Sequence, residues 1–430
     1  AAGLGAGVRS TYGGQAAVDE PQYLLSALSL YEDRDLDIAD ELAGRRWLQF
    51  HDADLPVQTS VRPDGSQLSP HDPLLPLLLA VPMGLGGWLA AKLTLAGLAG
   101  ILAALTLWVA VRRFEVPLGC AAAGAALAGA TAPLAVYGQQ VYPELPGGLA
   151  TLTAVAAITA NRPTRGTLLL TAGAITTLPW LSVKYVPVAA ALTLVALART
   201  TPRQRAALLA GLAAAGAAYL GVHRLVWGGW TVYASGDHFE STGEFSVVGT
   251  EPDYPGRTTR LLGLLVDRDF GIAAWQPAWL LLVPALAALL ATGVRHRAAL
   301  ALPLAAGWAT ATWVALTMHG YWWPGRQLVV VLPLAVLAVL VWLKDRNPVV
   351  PAVLAAAGVA YYATLLVAGT PWVLAPDRLD LHRPAGWLFP DNRDLTAADR
   401  FRYAAWLALT ALIALRTARR AGRAPAASRR

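Results

Sequence analysis

The sequence predicts an all-α polytopic membrane protein, and three observations carry that reading. The first is composition. Of 430 residues, 56% are hydrophobic and only 14% charged, with a mean hydropathy of +0.47, where soluble domains carry roughly a quarter charged residues. The second is a succession of apolar runs, most of them near the ~20 residues that a helical span requires. The third is charge sorting. Short connectors at 112–113, 162–165, 199–205, 293–297 and 344–346 carry Lys and Arg, as does the tail, whereas almost every acid falls on the opposite side, most of them in three longer polar stretches; Glu115 and Asp345 are the clear exceptions. A bundle of about 11–12 transmembrane helices is expected, the first largely missing because the chain opens on AAGLGAGVR. The net charge of +7 and pI of 9.7 do not point to nucleic acid, since the basic residues form no single patch. The single cysteine, Cys120, lies in an apolar run and excludes an internal disulfide.

Residues 1–72 form the first outer loop. Within it Tyr23, Leu24, Ala27, Leu28 and Tyr31 recur at helical spacing, which predicts an amphipathic juxtamembrane helix over 21–31, lying at the interface. The acid-rich tract Glu32 to Glu41 follows and reads mainly as a solvated face. The transmembrane bundle is expected over 73–418. Its first apolar run extends from SPHDPLLPLLLAVP to Val111, longer than one span, so a break is predicted near Gly84–Gly87. Further spans are expected at about 118–137 and 145–160, as two shorter arms within 166–199 around LPWLSVKY, and at about 206–223, 271–291, 298–318, 327–343, 349–368 and 403–418. Polar loops at 224–270 and 369–402 share the side of the first loop, and residues 419–430 form a basic cytoplasmic tail.

Polar clusters fall at the outer ends of these spans. They are Asp19-Glu20; Ser69-Pro70-His71-Asp72-Pro73; Tyr142 and Glu144 in YGQQVYPELPGG; Trp180, Lys184 and Tyr185 in LPWLSVKY; and His319, Trp322, Trp323 and Arg326 in MHGYWWPGRQ. A weaker cluster is VDRDFGIAAWQP. Each has a plain structural reading. Asp19 suits a helix N-cap with Gln22 completing a capping box, His71 a helix-start turn, Lys184 and Arg326 snorkelling, and Trp322 and Trp323 an aromatic belt. Together they suit something else. Cations, acids and aromatics share one membrane face beside short apolar arms. Aromatic faces stack on sugar rings, and Arg and Lys neutralise phosphate. Nucleotide sugars are absent outside a cell, so a donor used there is membrane-borne.

DEPQYLLSALSLYEDRDLDIAD resembles the first outer loop of GT-C glycosyltransferases, the superfamily of the dolichyl-phosphate-mannose protein mannosyltransferases and the lipid A aminoarabinose transferase. SPHDPLLPLLLAVP, YGQQVYPELPGGLATL, LPWLSVKYVPVAAAL, DRDFGIAAWQPAWLLL and PGRQLVVVLPLAVL resemble recurring blocks of its bacterial members, in the same order over most of 12–340. The resemblance implies a GT-C-type bundle, with Asp19 at the position of the catalytic base, Glu20 beside it, and Lys184 and Arg326 where cations face the donor phosphate. One departure is expected at the large soluble C-terminal domain of several such enzymes, since only 369–402 and a short tail surround the final span in this sequence, which leaves acceptor recognition open.

The expected function is transfer of a sugar from a polyprenyl-phosphate donor to an acceptor hydroxyl of a lipid, glycan or protein, with inversion. It would take place on the outer face of the plasma membrane, among membrane lipids. Tyr142, Trp180, Tyr185, His319, Trp322 and Trp323 are candidate substrate-binding residues, with His71 and Glu144 orienting donor or acceptor. The alternative is a transporter or flippase of a lipid-linked sugar, which would need the cavity but no base; a structural subunit without activity is a third reading. No cluster has clean metal-ligand spacing. Asp19, Glu20 and His71 could together hold a divalent cation, the one cofactor the sequence leaves in view.

Overall fold

A computed structural model describes residues 1–56, 58–235, 252–373, 386–393 and 395–423. Among the described residues the regular secondary structure is helical, and β-pairing is confined to isolated bridges at Thr11–Gly14, Gly14–His51 and Asp37–Leu68. Helices referred to below are α1 (Glu20–Glu32), α2 (Ala39–Ala43), α3 (Leu74–Phe114), α4 (Leu118–Gly129), α5 (Glu144–Ile158), α6 (Arg165–Leu181), α7 (Val186–Leu197), α8 (Pro202–Val226), α9 (Leu282–Ala291), α10 (Arg297–Ala309), α11 (Leu332–Leu343), α12 (Val349–Ala368) and α13 (Ala397–Arg423).

Helices α3, α8 and α12 are long and apolar enough to cross a membrane. Several of the remaining expected spans are composite, whereas 145–160 is the single short helix α5 and 403–418 lies within the 27-residue α13. The stretch 118–137 is α4, a break around the Thr131–Pro133 turn, and a single turn at Leu134–Tyr137. The stretch 271–291 reaches α9 through a 3-10 turn at Pro277–Leu281, and α10 runs on into a π-turn at Thr310–Val314. Pro punctuation explains the short pieces, since Pro removes a backbone donor and crowds the preceding turn.

The 41 residues of α3 would extend roughly 60 Å if straight, about twice a bilayer core. The helix breaks where the sequence predicts, at Gly87, whose φ of 63° only glycine adopts freely. Its first half carries α1. At Gly84 the two helices meet so closely that a Cβ would sit inside the Tyr31 ring. Helix α1 is less exposed than an interfacial helix: everything from Glu20 to Ser29 is buried. Its polar face is made of Gln22, Ser26 and Ser29, small or hydrogen-bonding groups that pack, so it forms part of the core rather than lying on a surface.

The basic connectors gather at one end of the bundle. Arg199 donates from Nε to the Ile158 carbonyl (2.8 Å) and lies 2.9 Å from His296 Nδ1. Arg295 reaches Asn161, and Phe114 packs edge-on against His296. At this end Thr164 and Thr201 start α6 and α8 with capping boxes completed by Thr167 and Gln204. The start of α1, the start of α5 and the α6–α7 junction meet at the opposite end, where the site lies. Parts of the predicted loops 224–270 and 369–402, and most of the 419–430 tail, lie outside the described residues.

Candidate active site

Asp19 sits at the N-cap position of α1 but does not cap it. Its backbone is helical (φ −86°, ψ −20°) and its carboxylate accepts nothing from the first turn. The residue before it, Val18, has φ +59°, a left-handed conformation that a β-branched side chain resists. Such strain costs on the order of 1–3 kcal/mol and persists only where surroundings enforce it; here Gln58 Nε2 donates to the Val18 carbonyl. The carboxylate is thereby free to face the bundle, where Arg326 Nη2 donates to Oδ2 at 2.7 Å and His71 Nε2 lies 3.8 Å away. Burial alone would raise the Asp19 carboxyl, but Arg326 and then His71 more than offset it and hold the group well below the usual carboxylate range.

Glu20 points elsewhere. Its carboxylate accepts from Ser10 Oγ (2.6 Å), Ala17 N (3.0 Å) and Val141 N (2.9 Å). With its oxygens bound to backbone and Ser10, it ties the first loop to the 138–143 segment and does not share a cavity with Asp19. The nearby Lys92, buried in α3, donates to the Gln15 carbonyl. Asp19, Glu20 and His71 therefore do not converge on one point, and among the described residues the group with metal-ligating geometry lies elsewhere, at Asp33, Asp40 and Glu41.

Glu144, the first residue of α5, joins the two cations. Its Oε1 accepts from Lys184 Nζ (2.7 Å) and from Arg326 Nε (3.0 Å). Arg326 thus gives Nε to Glu144 and Nη2 to Asp19, while its guanidinium lies over the Tyr142 ring (4.0 Å) and beside Trp322 (5.2 Å). Glu144 is fully buried, whereas the Asp19 side chain is 21% exposed. The pairing is graded: a sealed acid anchors the cations, and an accessible one meets them at a cavity. That cavity, about 790 Å³, is lined by Asp19, Lys184, Arg326, His319 and Trp322, with His51, Gln58 and Tyr233 around them.

The other candidates surround this centre. His71 lies 3.1 Å through Nδ1 from Ser69 Oγ and packs edge-on against Tyr23 (4.5 Å). Tyr185 is buried beneath Lys184, with the ammonium 5.5 Å from its ring. Trp323 is wholly buried, packed against Trp275 and Trp372, with its carbonyl accepting from Tyr137. Trp180 faces Tyr219 and His223 on α8 rather than the cavity. His319 lines the cavity and lies 3.4 Å from Asp267.

Asp72, which shares the His71 cluster in the sequence, centres a supporting set whose other members, on α8 and at Val183, no motif marks. Asp72 Oδ1 accepts from Tyr219 Oη (2.8 Å) and lies 3.2 Å from His223 Nε2, and its Oδ2 accepts from Val183 N (3.0 Å). It fastens the turn bearing Lys184 to the segment bearing His71, against the end of α8. Tyr219 and His223 stand one helical turn apart near the end of an otherwise apolar span, which is too weak a signal to mark them.

No family model matches the chain, and no curated protein matches it. Among solved structures, it is similar to ArnT from Cupriavidus metallidurans bound to undecaprenyl phosphate, with 14% identity and a TM-score of 0.49 over 98% of this chain and 76% of that one.

Proposed function

We propose that the protein transfers a sugar from a polyprenyl-phosphate donor to an acceptor hydroxyl, with inversion, at the Asp19 cavity. The observation that carries this is the Asp19 carboxylate itself, turned away from its own helix, open to a cavity and set beside two cations. A flippase has no need of an accessible carboxylate held in that way. Asp19 accepts the proton of the acceptor hydroxyl as its oxygen attacks the sugar C1. The C1–O bond to phosphate breaks on the opposite face, and the electron pair leaves with the lipid phosphate. Arg326 and Lys184 stabilise the charge that develops there. His71, beside Asp19, orients the acceptor, and Trp322 offers a face to the sugar ring.

The Asp19–Arg326 pair sets an order of events in this scheme. A donor phosphate competes with Asp19 for the same guanidinium. Once Arg326 turns to phosphate, Asp19 loses the cation that depresses its basicity, so the base is released by the arrival of the donor. The proposed setting is the outer face of the plasma membrane, because the basic connectors cluster at the end of the bundle away from this site. The acceptor is a lipid, glycan or protein hydroxyl.

The test uses purified protein in lipid nanodiscs with polyprenyl-phosphate-linked sugars and hydroxyl acceptors. Release of free polyprenyl phosphate, with an inverted anomeric centre in the product, is expected. Movement of intact donor between the leaflets of a vesicle, without such release, would favour the flippase instead.

A further inference from the structure

The acid-rich tract after α1 contains more carboxylates than it has partners, and those left over converge. Glu32 forms a two-pronged pair with Arg46, at 2.8 Å for each contact. Asp35 accepts from Ser29 Oγ and from Asp37 N. Asp37 accepts from Ala39 N and Gln67 N. Asp33, Asp40 and Glu41 have no side-chain hydrogen bond or ion pair among the described residues, and each offers a carboxylate oxygen within 4.8 Å of the others. Two of them are exposed, but Glu41 is only 1% exposed and both of its oxygens are buried without a donor. Desolvating a carboxylate with no partner is costly, and burial facing two further acids costs more.

We infer that Asp33, Asp40 and Glu41 form a divalent-cation site, best suited to Ca²⁺, that fastens the end of α1 to α2. The donor set is all oxygen, which selects a hard cation over zinc or copper. Asp33 and Asp40 reach solvent, so water completes the coordination shell. Asp33 lies at the end of α1, and Asp40 and Glu41 in the first turn of α2, so the ion would span the tract between them. Arg46 acts electrostatically on Asp33 and Glu41, but Glu32 already engages both arms of its guanidinium. The site is separate from the Asp19 cavity and does not depend on the transferase reading.

The competing occupant is a proton. Burial and the Asp40 carboxylate push the Glu41 carboxyl up to about 8, so a shared proton could hold the pair together near neutral pH. Calorimetric titration of the full-length, chelator-treated protein with CaCl₂ at pH 7.5 separates the two. Saturable binding of one Ca²⁺ per chain is expected, with a Kd on the order of 10⁻⁴ to 10⁻³ M for a site with few protein ligands. A rise in melting temperature with CaCl₂ should accompany it. Glu41→Gln, nearly isosteric, and Asp33→Asn, at an exposed position, should each abolish both effects while the variants stay folded. Absence of saturable binding in the wild type would mean a proton only and overturn the site, as would binding that survives Glu41→Gln.

Discussion

The Arg326 guanidinium donates to Asp19 Oδ2 at 2.7 Å, across 307 positions of sequence. The same side chain donates to Glu144 through Nε, and Glu144 in turn accepts from Lys184. One arginine therefore connects the first loop, the start of α5 and the α6–α7 junction. Its replacement tests structure and chemistry together.

Arg326→Ala should destabilise the protein by about 3–5 kcal/mol, the usual consequence of removing one partner from a buried ion pair. Donor affinity should fall more than in Arg326→Lys, which keeps the charge and loses the fork. Denaturation in detergent and donor-binding isotherms measure the two effects. Equal donor affinity in the Ala and Lys variants would remove Arg326 from phosphate recognition.

Glu144→Gln gives an opposite sign for binding. It removes the buried counter-charge, leaving Lys184 and Arg326 with Asp19 alone. The fold should lose about 3 kcal/mol. Inorganic phosphate or polyprenyl phosphate should bind more tightly than to the wild type, because the cations are less neutralised. Weaker phosphate binding in a folded Glu144→Gln protein would show that Glu144 positions the cations rather than masking them.

Acid should weaken the fold through Asp19. Its carboxyl is held below the ordinary value of 3.8, chiefly by Arg326 against the effect of burial. A depressed folded-state pKa adds stability that is fully present above the unfolded value and is lost as pH falls through the folded one. Melting temperature should therefore decline below about pH 4, and Asp19→Asn should flatten part of that decline. An identical acid profile in wild type and Asp19→Asn would mean that the Arg326 pair contributes no stability.

The orientation of the bundle can be read with cysteine labelling in a Cys120→Ala background. An impermeant thiol reagent outside intact cells should label Asp64→Cys, in an exposed turn of the first loop, and not Thr164→Cys, at the basic end. The reverse pattern would place the cavity on the inner side.

The sequence made much of this arrangement legible, for identifiable reasons. Lys184 and Arg326 are charges embedded in apolar sequence, and such groups announce themselves because isolation there is expensive, while Asp19 stands out as one of an acidic pair just before an amphipathic run. The break at Gly87 was visible as glycine-rich excess length. Other features were hidden. Glu144 was recognisable as a polar residue at a helix start, but its acceptance from both cations depends on a fold that joins three distant segments. Glu20 and Asp19 are neighbours of the same type, and only the packing against Val141 and Ser10 separates their roles. His223 and Tyr219 read as ordinary positions of an apolar helix. His51, Gln58 and Tyr233 lie in stretches with no periodicity, so nothing local placed them at a cavity.

The most direct test is Asp19→Asn, measured for transfer and for donor binding in the same preparation. Asn caps a helix about as well as Asp, and Asp19 makes no cap bond here, so the substitution leaves the helix start unaffected. Loss of the base should lower the turnover rate by at least ~10²-fold, while the variant stays folded and still binds polyprenyl phosphate. A stable Asp19→Asn protein that transfers sugar at the wild-type rate would contradict the proposed mechanism at its centre.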